Sequence, residues 1–187
     1  MFKINPQDLA SYVAVIVATV ALYVGWDQAR IGRNQQHADV YPVVEFKSQY
    51  LTKQLENGNT ARHLAFSVFN AGVGPAFIET AQWQINGFEV QHVRDLQKAM
   101  PEGLTTLDQY QGQFENFILA PGKSEKVWEV LWPNNKASQP LSQMFMETFW
   151  AMDLKICYCS LYQRCWISSY QAQTPRPTEV ASCGSAF

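Results

Sequence analysis

Catalytic signatures are missing from this chain. It has no G-x-S-x-G, no His-Glu-x-x-His, and no His-x-Glu followed by a Cys-x-x-Cys, so the serine-hydrolase elbow and the common zinc enzymes have nothing to build on. Its three histidines, His37, His63 and His92, are scattered. Acidic residues are mostly lone; Glu45, Glu79, Glu89 and Glu129 fall in strand-like runs without an evident catalytic partner. Charge is also scarce. Charged residues make up 16%, the net charge is −2, and Lys and Arg form no patch, which removes the electrostatic case for nucleic acid. No internal repeat or low-complexity block is present.

The one glycine-rich stretch, NAGVGPA (Asn70 to Ala76), lacks the Lys-Ser/Thr of a P-loop and the third glycine of a dinucleotide loop. Pro75 further removes an amide donor. It reads as a structural turn of Asn70, Gly72, Gly74 and Pro75, with positive φ expected at Gly72 or Gly74. No cofactor and no metal ligand set is expected.

What is abundant is apolar and aromatic. Hydrophobic residues reach 47% and aromatics 13%, with six Trp, eight Tyr and eleven Phe, enough for a packed core. The longest apolar run, LASYVAVIVATVALYVGW from Leu9 to Trp26, carries no charge. As a helix it is roughly 27 Å long, close to the hydrocarbon thickness of a bilayer. Tyr12, Tyr23 and Trp26 lie toward its ends, where aromatic rings favour the interface. The run exceeds a typical signal-peptide core, and no small-x-small cleavage site follows it. The bilayer is therefore an expected partner of this segment. Ala10, Ala14 and Ala18, continued by Ala21 and Gly25, put small residues at four-residue spacing, which admits a homo-oligomer through the anchor. Arg30 and Arg33 follow Trp26 at the membrane interface and lean the remaining chain toward the cytoplasm, by one or two charges.

The expected organisation is a short tail (1–8), the transmembrane helix (9–26), a juxtamembrane helix or linker (27–39), a β-domain (40–170) and a flexible C-terminal tail (171–187). Within the domain, short β-type runs alternate with turn residues. Val40 to Phe46 is an edge strand because of Pro42; His63 to Asn70 and Ala76 to Ile85 are strands; Asn86-Gly87 signals a hairpin. Asp95 to Met100 reads as a short helix and Glu102 to Asn116 as a long loop. A strand, a Pro-Gly turn and a strand occupy Asn116 to Trp132, and Pro140 to Met152 is a helix with Leu141, Phe145 and Phe149 on one stripe. The fold class is mainly β: an antiparallel sandwich of immunoglobulin-like type behind one membrane helix.

FSVFNAGVGPAFIETAQW and ILAPGKSEKVWEV resemble segments of the Ig-like sandwich modules of bacterial envelope proteins called CARDB domains. The layout as a whole, with W-x-x-x-R after the anchor, N-x-G-x-G-P-A and a C-terminal YCS…CW hairpin, resembles a set of uncharacterised bacterial single-pass membrane proteins. The resemblance implies a bacterial inner-membrane location and an interaction domain, and it carries over no catalytic residue.

YCSLYQRCW (Tyr158 to Trp166) holds two of the four cysteines. With Leu161, Tyr162 and Gln163 as a three-residue loop, Cys159 faces Cys165, Tyr158 faces Trp166, and Cys157 faces Ile167. Cys157, Cys159, Cys165 and Ile167 then share one face of the hairpin. Opposed residues stand within disulfide range, so Cys159 and Cys165 form a thiol pair open to three readings. An oxidising compartment closes it, a metal needs a fourth ligand, and a cytoplasmic domain keeps both thiols reduced and packed as small apolar groups. The cytoplasmic lean of the flank favours the last. Function reads as a non-enzymatic, membrane-anchored β-sandwich interaction module with an unidentified protein partner, an accessory subunit of a membrane or envelope complex. The alternative is a thiol-based redox or metal sensor on the hairpin cysteines; a third class is an enzyme with an unrecognised site.

Overall fold

A computed structural model describes residues 6–85, 88–90, 102, 106–113, 115–174 and 176–185. The chain divides into two units, Met1–Asp39 and Val40–Phe187.

The first unit is helix α1, Pro6–Ala38, one unbroken element of 33 residues. Pro6 suits a helix start, where its missing N–H would have no partner anyway. Its Ala10–Ala38 portion is long and apolar enough to cross a membrane, with a mean hydropathy of 1.5. The anchor and the juxtamembrane segment, read as a membrane helix followed by a helix or linker, are a single helix. Trp26 is exposed, as are Arg30 and Arg33.

The second unit contains two antiparallel sheets. Its strands are β1 (Val44–Gln54), β2 (Thr60–Asn70), β3 (Ala76–Ile85), β4 (Phe88–Val90), β5 (Asp108–Gln111), β6 (Phe117–Leu119), β7 (Ser124–Pro133), β8 (Met152–Cys159), β9 (Cys165–Ser169) and β10 (Thr178–Val180), with helix α2 (Ser138–Trp150) between β7 and β8. The first sheet has the order β1-β2-β7-β5; the second runs β10-β9-β8-β3-β4, with β6 added on β3.

Period-two alternation places the core. Leu64, Phe66 and Val68 of β2 and Trp128, Val130 and Trp132 of β7 meet Ile78, Trp83, Leu154, Ile156 and Tyr158 of the second sheet, all of them buried. Phe145 and Phe149 of α2 join the same cluster. Phe66 stands at its centre, its ring 5.4 Å from Trp83 and 6.0 Å from Phe149. Trp132 sends its indole N–H to Ser142 Oγ at 3.0 Å, so the buried ring leaves no orphan donor. The helix begins at Ser138 rather than Pro140. Asn135 Oδ1 accepts from the Ser138 amide while Ser138 Oγ accepts from the Asn135 amide, a reciprocal pair of bonds in the turn that leads into the helix.

Several expectations change. The edge strand starts at Val44, beyond Pro42, and runs on to Gln54, paired with β2 along its whole length. The polar stretch read as a loop contains β5, which adds to β7 through backbone pairing of Asp108–Gln111. The Pro121-Gly122 turn does not join neighbours. It carries the chain from β6 on the second sheet to β7 on the first, with Gly122 at φ 69. The C-terminal segment read as a flexible tail supplies β10 and a 3-10 turn at Cys183–Ser185. Asn86-Gly87 and the helix at 95–100 lie outside the described residues, although the strands that the first would join do pair, Ile85 opposite Phe88.

Candidate functional site

Asn70 ends β2 fully buried, and its side chain is saturated. Its amide nitrogen donates to the carbonyls of Gly74 (2.8 Å) and Leu119 (2.9 Å), and its oxygen accepts from the amides of Gly72 (2.9 Å) and Val43 (3.3 Å). One side chain thereby ties β2, the following turn, β6 and the segment entering β1. The glycines serve close approach rather than positive φ. A Cβ at Gly72 would run into Tyr41 O and Val43 N, and one at Gly74 into Val40 O. Pro75 leads into β3. The turn binds its own backbone and leaves no amide cradle for a phosphate.

The cysteines form the second feature. The hairpin has the register that its three-residue loop dictates: Cys159 opposite Cys165, Tyr158 opposite Trp166, Cys157 opposite Ile167. Gln163 takes positive φ (59), and Gln163 N donates to Ser160 O at 3.0 Å, closing the loop. Tyr158 and Trp166 point into the main core, so the cysteines point away from it. They form a second, smaller cluster with Cys183, flanked by Ile167 and Val180. Both pairs are closed, Cys159 with Cys165 (Cα–Cα 4.0 Å) and Cys157 with Cys183 (Cα–Cα 5.6 Å), and no free cysteine remains.

This corrects two expectations. The thiols are not reduced, and Cys183 is not in a loose tail but fastened to β8. A neutral disulfide sulfur lacks the thiolate charge that a zinc ion requires, so the closed cluster is no metal centre. Non-bonded sulfurs nevertheless crowd together: Cys159 Sγ lies 3.7 Å from Cys183 Sγ, and the sulfurs of Cys159, Cys165 and Cys183 all fall within 4.8 Å of one another.

The register extends this face into a row. Ile118 of β6 opposes Phe77 of β3, Phe77 opposes Cys159, Cys159 opposes Cys165, and Cys165 opposes Val180 of β10. Opposed residues share a face, so five strands carry one apolar line on the side of the second sheet away from the main core, with Cys159 and Cys165 buried at its middle. Ile118 is 62% exposed, and Leu161 and Tyr162 at the hairpin tip are 57% and 46% exposed. A groove of about 500 Å³ opens at the middle of the row, lined by Phe77, Glu79, Cys159, Leu161, Cys165 and Ser182 among others. Arg164 braces the hairpin with Glu179 of β10 at 2.7 Å.

A polar cluster sits on the outer face of the first sheet. Glu129 Oε1 accepts from His63 Nε2 at 2.6 Å, and Glu129 Oε2 accepts from Lys126. Burial alone would lift the Glu129 carboxyl above its ordinary 4.5, but the bonds from Lys126 and His63 outweigh it and hold the value lower. Glu45, Glu79 and Glu89 are not drawn into this cluster. No protein-family model matches the chain. No curated protein matches it in sequence.

Sequence reasoning missed Cys183, Ile118 and Phe77. Strand pairing brings Ile118 and Phe77 to the hairpin and the bond to Cys157 brings Cys183, and no local spacing announces either.

Proposed function

We propose that this protein is a non-enzymatic interaction module, held to a membrane by α1, whose sandwich docks a protein partner through the outer face of its second sheet. The observation that carries the reading is the apolar row from Ile118 through Phe77 and the Cys159–Cys165 bridge to Val180, capped by exposed Leu161 and Tyr162. Exposed aromatic and aliphatic side chains around a groove are the composition of interface cores. A partner offering a complementary apolar patch is its expected occupant.

The strand order supports an immunoglobulin-like assignment. Taking β1, β2, β3, β4, β5, β7, β8 and β9 as A, B, C, C′, D, E, F and G, the sheets read A-B-E-D and G-F-C-C′, with β10 beyond G. Such an order, the Asn70 turn and the Tyr158–Trp166 hairpin favour kinship with the CARDB-like bacterial single-pass proteins of the inner membrane.

Two closed disulfides favour an oxidising compartment for the domain, the periplasm in that setting, against the weak cytoplasmic lean of Arg30 and Arg33. Thiol-specific alkylation in intact cells tests the side: no cysteine should react before reduction and all four after it, whereas labelling without reduction sinks the periplasmic reading. Docking is tested by Ile118→Asp together with Leu161→Asp in the full-length, detergent-solubilised protein. Both side chains face solvent, so the variant should keep its melting temperature and lose its co-purifying partner. An unchanged set of partners defeats the proposal.

A further inference from the structure

We propose that the four cysteines form a thiol–disulfide exchange site for a low-molecular-weight thiol, in which Cys159 relays the exchange from the groove to the C-terminal bond. The juxtaposition of Cys159 Sγ with Cys183 Sγ at 3.7 Å, between two separate disulfides, is the observation behind it. Two structural bridges serve stability equally well at a distance. Here the sulfur released from one bond lies against a sulfur of the other.

The chemistry runs in two exchanges. The Cys159–Cys165 bond borders the open groove, whose volume of about 500 Å³ is in the range of small-molecule sites. A thiolate entering there attacks Cys165 Sγ, forms a mixed disulfide with Cys165 and expels Cys159 as the thiolate. Cys159 then attacks Cys183 Sγ, forming Cys159–Cys183 and releasing Cys157 as the thiolate, which takes up a proton. A second molecule of the same thiol resolves the mixed disulfide at Cys165. The balance is two thiols oxidised to one disulfide, and one protein disulfide reduced to the thiols of Cys157 and Cys165. The C-terminal segment stays tethered to β8 throughout, by Cys159 instead of Cys157. Full re-pairing as Cys159–Cys183 with Cys157–Cys165 is disfavoured: Cys157 opposes Ile167, so its relation to Cys165 is diagonal, and such Cα atoms stand about 7–8 Å apart.

This exchange is independent of protein docking, because it is read on the sulfurs and not on a co-purifying partner. Purified full-length protein in detergent is incubated with reduced glutathione, quenched by acid and alkylated, and its disulfides are mapped by mass spectrometry. The two-electron-reduced species should contain the Cys159–Cys183 linkage, with Cys157 and Cys165 alkylated. Retention of Cys157–Cys183 alone, with only Cys159 and Cys165 alkylated, overturns the relay. Cys165→Ser gives a second reading without any reductant. Its unpaired thiol should be shared between Cys157 and Cys159 under mildly alkaline conditions, and label confined to Cys159 again overturns the proposal.

Discussion

The hydroxyl of Tyr158, on the second sheet, accepts a hydrogen bond from the backbone amide of Val44, the first residue of the first sheet, at 3.4 Å. Ser168 Oγ donates to the same oxygen at 3.3 Å. Burial pushes the Tyr158 hydroxyl above its ordinary 10.0, against the lowering effect of the bonds from Ser168 and Val44. A core phenol thus stitches the two sheets at the point where β1 leaves Pro42.

Tyr158→Phe deletes that acceptor and strands a buried amide and a buried hydroxyl. The expected loss is about 1–3 kcal/mol of unfolding free energy with the fold retained, measured by urea denaturation. A change within error would show that these bonds are made equally well by water.

Gly74→Ala places a methyl against Val40 O, a backbone atom that cannot swing aside. Loss of more than about 3 kcal/mol, or failure to fold, is expected. Gly184→Ala is the matched control, because nothing stands within 4 Å of its added carbon. Equal melting temperatures for the two variants would contradict the close approach.

Local spacing made parts of this architecture legible in the sequence. The run Ala76 to Ile85 is β3 to the residue, because alternation and the flanking Pro75 both act locally. The hairpin register of Cys159 and Cys165 followed from loop length alone. What stayed hidden depended on distant partners. Asp108–Gln111 is polar and becomes a strand only because β7 offers it a free edge. The eleven residues of β1 extend past its apolar start because β2 runs alongside them. Cys183 finds Cys157 across a separation of 26 residues, which no turn signal spans. Gly72 and Gly74 sit in the expected turn for a different reason, since the backbone of Val40 to Val43 ahead of β1 crowds them and no positive φ is needed.

Glu129 ties stability to acid. Its carboxyl value is lower in the folded chain, so its contribution is complete above the ordinary value of 4.5 and fades as pH falls below it. Glu129→Gln should lower the melting temperature at neutral pH and flatten the acid limb of the stability curve below 4.5. Parallel curves for the two proteins would show that Lys126 and His63 do not favour the charged form.

The disulfides should differ in worth. Cys157–Cys183 closes a separation of 26 residues and Cys159–Cys165 one of 6. Loop-closure entropy then assigns about 3.5 kcal/mol to the first and about 2 kcal/mol to the second. Replacing both partners of each pair by Ser avoids stray thiols, and the C-terminal pair should cost more in denaturant midpoint. The reverse order would mean that burial around the hairpin, not chain entropy, dominates.

Helix α1 should resist extraction. The full-length protein is expected to remain in the membrane pellet through alkaline carbonate, and its release into the supernatant would remove the anchor from the reading.

The bond between Cys157 and Cys183 turns the end of the chain into a lasso around β9 and β10. A protease that nicks the exposed stretch at Gln171 to Thr174 therefore liberates nothing. The severed C-terminal piece stays strapped to β8, and on a non-reducing gel the nicked protein migrates as one species. Only a reductant turns the hidden cut into two fragments, so the domain can carry wounds on its surface and still present an intact face.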